Sequence, residues 1–112
     1  MSHYLCKIAE IGENGKEIRV RVAADPSFIM LFWHAGTVRA YLNICPHEGK
    51  SLNSAPNRFL FSPENWLVCA HHGASFDLET GECRDGPCRG ASLRSVRISL
   101  HEGSVWLDEV PG

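Results

Sequence analysis

The sequence has no apolar stretch long enough to cross a membrane as a helix. It also has no run of Lys or Arg longer than two residues, and its net charge is −2. These absences argue against nucleic acid and anionic membranes as partners. The N-terminus, MSHYLCKIAEIGENG, lacks a basic region followed by a hydrophobic run. We therefore expect no signal peptide, no membrane contact and a cytoplasmic location.

A convincing run of apolar residues at helical spacing is absent too. Short segments instead alternate apolar with polar residues, and turn sequences such as HAG and HEG separate them. This pattern is typical of an all-β sandwich or barrel, and the length of 112 residues favours a single domain over residues 1–112. The predicted strands are 5–11, 16–22, 27–33, 37–44, 59–61, 65–69, 75–79, 95–100 and 104–110.

The five cysteines are an odd number, which makes a disulfide framework a poor explanation in a reducing cytoplasm. Two of them lie beside histidines in similar boxes, CPH at 45–47 and CAHH at 69–72. Each box follows a predicted strand, so two loops would each offer one sulfur and one nitrogen ligand. Thiolate and imidazole together suit zinc or an iron–sulfur cluster. A zinc finger normally pairs Cys with Cys and His with His, which is not the arrangement here.

The paired boxes resemble those of Rieske [2Fe–2S] proteins, and SFDLETG (75–81) and GP (86–87) resemble the ferredoxins of ring-hydroxylating dioxygenases. The resemblance covers roughly residues 4 to 110. It implies an antiparallel Rieske sandwich with a cluster-binding subdomain at about 45–90. It also implies one [2Fe–2S] cluster per chain, with Cys45 and Cys69 on the inner iron and His47 and His72 on the outer one.

With neutral imidazoles, the charges of two ferric ions, two sulfides and two thiolates cancel, and reduction adds one negative charge. The resemblance therefore implies a soluble one-electron carrier that is not itself an enzyme. Its partners would be a flavin-dependent reductase and a terminal oxygenase. An oxygenase activity of its own would need a second domain, for which we expect no room in 112 residues.

Two features depart from the family pattern. The spacer between His47 and Cys69 has 21 residues, 48–68, and is longer than the resemblance leads us to expect. High-potential Rieske proteins have a disulfide beside the cluster and two hydroxyl donors to sulfur. Lys50, His71, Ala74 and Phe76 occupy the corresponding places here. Because fewer donors stabilise the reduced state, we expect a low potential.

Several alternatives remain open from the sequence. The chain fits the Rieske-type small subunit of an NAD(P)H nitrite reductase, and less well a structural zinc module. His71 is adjacent to the preferred ligand His72, and we expect it to be exposed beside the cluster. Cys83 and Cys88 are expected to be small buried residues, with a redox-active pair as the alternative.

Overall fold

A computed structural model describes residues 3–22, 25–46, 51–53, 55, 57–71, 73–86, 88 and 90–108. Within these residues the chain forms ten β-strands and one short 3-10 turn, Ile8–Glu10. None of the helical segments there is long and apolar enough to span a membrane. The strands are β1 (His3–Lys7), β2 (Lys16–Val22), β3 (Asp25–His34), β4 (Thr37–Leu42), β5 (Leu60–Phe61), β6 (Leu67–Val68), β7 (Ser75–Phe76), β8 (Cys83–Asp85), β9 (Ile98–His101) and β10 (Ser104–Leu107).

The strands form three antiparallel sheets, which confirms the all-β prediction. Two sheets have three strands each, in the orders β1-β10-β9 and β2-β3-β4, and the third has the order β5-β6-β7-β8. The HAG and HEG turns close the hairpins β3–β4 and β9–β10, as predicted. Each has two positive-φ residues between the strands, Ala35–Gly36 and Glu102–Gly103, the backbone that two-residue hairpin loops favour.

The two three-stranded sheets enclose one apolar core, which we call the sandwich core. Alternate residues of each strand contribute to it, among them Leu31 of β3 and Val105 of β10, both fully buried. The intervening residues of β3, Met30 and Phe32, are equally buried but belong to a second core. Because β3 is covered on both faces at 29–32, its sequence IMLF is continuously apolar there.

The second core joins the four-stranded sheet to the outer face of β3. Phe32 packs edge-to-face against Phe59 and Phe61, with ring centroids 5.0 and 5.8 Å apart. Leu67 of β6 and Phe76 of β7 are fully buried beside them. The rest of this core comes from β4, β8 and the loops, and it includes Cys45, Cys69, Cys83 and Cys88. The sandwich therefore supports a loop-rich unit that holds four of the five cysteines.

Some predicted strand boundaries are wrong. The strand predicted over 5–11 ends at Lys7, because the Lys7 amide donates 2.8 Å to the Glu10 carboxylate and the chain turns there. The strands predicted over 65–69 and 75–79 are only two residues long in the structure. β8 was not predicted at all. These short strands depend on pairing with one another inside the second core, and such tertiary contacts leave little pattern in the local sequence.

Candidate metal centre

The two predicted cysteine ligands lie at the ends of strands, as expected. Cys45 follows β4 and Cys69 comes directly after β6. Their exposed fractions are only 1% and 2%, both belong to the second core, and neither forms a disulfide. Two cysteine sulfurs are thus kept away from water on two separate loops.

The two predicted histidine ligands, His47 and His72, lie outside the described residues, so the complete ligand set stays a prediction. His71 is described and exposed, as the sequence predicted. Among the described residues, no three His, Cys, Asp or Glu side chains form a metal-binding group. A site built from Cys45, Cys69 and two histidines outside the described residues is compatible with that finding.

A buried amide network fixes the base of the first box loop. The Asn43 side chain donates to the Glu17 carboxylate at 2.7 Å and to the Asn53 amide oxygen at 2.8 Å. Its own oxygen accepts the Leu52 amide at 2.7 Å. Since Asn43 precedes Cys45 by two residues and Leu52 lies on the far side of the box, these bonds clamp the loop where it leaves and returns.

The second box is a tight turn. The Cys69 amide donates to the Ala74 carbonyl at 2.7 Å, and the Gly73 amide donates to the Cys69 carbonyl at 3.0 Å. Gly73 has φ of 73°, a backbone conformation that glycine adopts without strain. The Ala70 amide also donates to the Leu52 carbonyl at 2.8 Å. This bond holds the two box loops side by side.

A third loop packs against the second box. Gly86 has φ of 101°, and a Cβ atom built on it would be 2.8 Å from the Cα atom of Ala74. Only glycine allows the two backbones to approach this closely. Pro87, the other residue of the GP motif, lies outside the described residues.

The SFDLETG motif forms the turn between β7 and β8. The Asp77 carboxylate accepts hydrogen bonds from the Glu79 amide at 2.8 Å and from the Arg84 guanidinium at 2.9 Å. These partners lower the pKa of the Asp77 carboxyl, and the Glu79 amide has the larger effect. A Cβ on Gly81 would be 2.8 Å from the Tyr41 ring, and the Tyr41 hydroxyl donates 2.7 Å to the Leu78 carbonyl. The motif thus attaches the box loops to β4.

Cys83 and Cys88 are buried, as predicted, but they also contact the candidate site. The Cys88 thiol lies 2.9 Å from the Cys83 sulfur and is hydrogen-bonded to Cys45 as well. Burial, followed by these contacts, raises the pKa of Cys88 to about 12. Sequence reasoning missed the contact with Cys45. The available signal for it was the position of Cys88 directly after the GP motif at 86–87.

The described part of the site fits an iron–sulfur cluster. It offers two cysteine thiols, excluded from water, on two loops that are hydrogen-bonded to each other. Apolar neighbours such as Leu52 and Phe76 surround them. Thiolate donors in a dry, apolar site are what a [2Fe–2S] cluster requires.

Comparison with known proteins agrees with this interpretation. The profile of the Rieske [2Fe-2S] domain matches residues 2–103. The chain therefore belongs to the Rieske [2Fe–2S] domain family, and a Rieske-type [2Fe–2S] cluster is its cofactor. This membership favours the cluster over the zinc module.

Among curated proteins, the chain is similar to oxidoreductase NdmD of Pseudomonas putida, with 31% identity over 94 residues, 74% of this chain and 15% of NdmD. It is also similar to the oxygenase subunit of carnitine monooxygenase of Escherichia coli K12, with 24% identity over 88% of this chain. The chain spans only 15–27% of the length of the curated relatives that it matches.

Among solved structures, the chain is similar to the ferredoxin of Sphingomonas yanoikuyae B1. The TM-score is 0.72 at 22% identity, over 97% of this chain and 99% of the ferredoxin. This likeness confirms the predicted Rieske ferredoxin fold.

Proposed function

We propose that the protein is a one-electron carrier, a Rieske ferredoxin that passes electrons from a flavin-dependent reductase to a terminal oxygenase. In this role the protein does not hydroxylate a substrate itself. Residues 1–112 form one Rieske domain, in which residues of about 45–90 make the cluster-binding subdomain. The carrier works in the cytoplasm and meets both partners transiently.

The observation that carries this proposal is the extent of the structural match. The described fold matches the Sphingomonas yanoikuyae ferredoxin with a TM-score of 0.72, over 97% of this chain and 99% of that ferredoxin. The dimensions of the described fold, 37 × 32 × 24 Å, suit a small carrier that docks on larger partners. The net charge of −2 gives no reason to expect nucleic acid.

The proposed ligands are Cys45 and Cys69 for the inner iron and His47 and His72 for the outer iron. A bound [2Fe–2S] cluster supplies one reversible electron per chain. The chain contributes burial of both thiols, which keeps water from the sulfur ligands. Neutral imidazoles at His47 and His72 add no negative charge to the site, which favours acceptance of the electron.

The proposal is tested by anaerobic reductive titration, followed by mixing with oxygenase and reductase components from the source organism. We expect uptake of one electron per chain and faster substrate turnover when the protein is added. The protein alone should turn over no substrate. A large subunit that stays bound through purification, together with nitrite reduction by that complex, would contradict the carrier role and favour the nitrite reductase alternative.

A further inference from the structure

Three thiols meet at one side of the second core. The Cys88 sulfur lies 2.9 Å from the Cys83 sulfur and is hydrogen-bonded to Cys45. The exposed fractions of Cys45, Cys83 and Cys88 are 1%, 1% and 7%. Water therefore has little access to the group, and the thiols depend on protein atoms as hydrogen-bond partners.

Each thiol has one hydrogen to donate. The Cys83 thiol donates to the carbonyl oxygen of Asp85 at 3.3 Å. Its sulfur therefore acts only as an acceptor toward Cys88. The Cys88 hydrogen has two sulfur acceptors within reach, those of Cys83 and Cys45.

The choice between these acceptors depends on the charge of Cys45. As a cluster ligand, Cys45 is a thiolate, whereas Cys83 remains a neutral thiol. A hydrogen bond to a charged acceptor is roughly twice as strong as one between neutral groups. The Cys88 hydrogen should then turn toward Cys45.

We propose that the Cys88 thiol is a positioning residue for the cluster, which donates an S–H hydrogen bond to the sulfur of ligand Cys45. The inference rests on Cys45 being a ligand, as proposed above. Such a donor stabilises the state with the additional negative charge, and so it raises the midpoint potential. Ala74 and Phe76 have no hydroxyl, so Cys88 takes over part of the role of the donors missing there.

The test compares Cys88→Ala with Cys88→Ser at fixed pH by voltammetry. The alanine variant should keep its cluster but have a lower potential, by about tenfold in the one-electron equilibrium constant, or about 59 mV. The serine variant retains a donor and should restore most of the potential. Cys6→Ala is the matched control. Cys6 is also a buried cysteine, but it belongs to the sandwich core, and its replacement should leave the potential unchanged.

A second measurement examines the wild-type protein directly. In D₂O, pulsed EPR of the reduced protein should detect a deuteron near the cluster that is absent from Cys88→Ala. If Cys88→Ala loses its cluster, Cys88→Ser takes its place in the comparison with wild type. The hydroxyl deuteron of this serine should also couple to the cluster. Absence of a coupled deuteron from both proteins would overturn the inference.

Two further outcomes would refute it. One is a Cys88→Ala protein with an intact cluster and the wild-type potential. The other is a Cys83–Cys88 disulfide in the loaded protein, seen as three instead of five alkylated cysteines after denaturation, because a disulfide has no hydrogen to donate. Retention of the cluster by Cys45→Ala would instead refute the ligand assignment, so the two failures are distinguishable.

Discussion

Gly86 approaches Ala74 so closely that a Cβ atom on Gly86 would lie 2.8 Å from the Ala74 Cα atom. Ala74 ends the second box turn, where its carbonyl accepts the Cys69 amide at 2.7 Å. The third loop therefore rests on the backbone that positions a proposed ligand. A side chain added at position 86 should therefore weaken the packing of this loop against the site.

Gly86→Ala should loosen this contact, and Gly90→Ala is its matched control. Both glycines have positive φ, 101° and 97°, but a Cβ on Gly90 would meet nothing within 4 Å. Backbone strain alone should cost Gly90→Ala about 1–2 kcal/mol of unfolding free energy. Gly86→Ala should lose about 1–3 kcal/mol more from overlap with Ala74. Chemical denaturation measures the free energy of unfolding of both variants. The rate at which the visible absorption of the cluster is lost measures how firmly the site is closed. Equal losses in the two variants would mean that the contact has no energetic importance.

Replacement of Cys45, His47, Cys69 or His72 by Ala should each remove the cluster, because every ligand lost opens an iron site. His71→Ala should keep it, since His71 is exposed. Iron and acid-labile sulfide analysis, with the visible spectrum and the reduced EPR signal, measures the outcome. Retention of the cluster by His72→Ala with its loss in His71→Ala would show that the adjacent histidine is the ligand.

The midpoint potential should lie below about 0 mV at neutral pH, toward the low end of the roughly −150 to +300 mV range of Rieske centres. Ala74 and Phe76 are fully buried and have no hydroxyl to offer to sulfur. Ala74→Ser and Phe76→Tyr should each raise the potential by stabilising the reduced state. Voltammetry of the three proteins is the measurement. A wild-type value above about +150 mV, inside the upper part of that range, would contradict the carrier role.

Asp77 should make acid stability depend on pH in a predictable direction. Its partners, the Glu79 amide and Arg84, lower the pKa of its carboxyl in the folded state. The stabilisation is therefore complete above the unfolded pKa of about 3.9 and disappears as pH falls through the lower folded value. Asp77→Asn should lose about 1 kcal/mol at pH 7, since the exposed Arg84 is partly screened.

Thermal unfolding of wild type and Asp77→Asn from about pH 7 to pH 3, across the unfolded pKa of about 3.9, tests this. The difference between the two proteins should shrink as pH falls. Glu64→Gln, at an exposed turn position, is the control for loss of one carboxylate. A difference that grows in acid would contradict the assigned direction.

The sandwich was largely predictable because its strands follow local rules. Alternating residues mark β2, β4 and β10, and HAG and HEG specify the hairpin turns. The two-residue strands of the second core were predicted at the right places but too long, and β8 was missed. Their pairing depends on partners such as Phe76 with Cys83 and Leu67 with Phe76, which meet only in the folded chain.

The candidate site shows the same division. Its boxes were found because the spacing of Cys and His is itself a local signal. The contact of Cys88 with Cys45 joins residues 43 positions apart, and no pattern in the intervening sequence predicts it. The hydrogen bonds that the Asn43 side-chain amide donates to Glu17 and Asn53 were missed for the same reason. An isolated asparagine does not reveal from the sequence which partners its side chain will meet.

The hydrogen bonds of Asn43, which we call the Asn43 clamp, also separate the fixed part of the first box loop from the part whose length can vary. Asn43 and Leu52 close the first box at its stem, and the Ala70 amide ties the second box to the same point. The additional length of the 48–68 spacer can then be accommodated beyond Leu52, outside the segment that the clamp closes. Changes of length at its exposed residues 63–65 would leave these hydrogen bonds and the buried Phe59 in place, so this part of the loop can vary while the metal centre is kept.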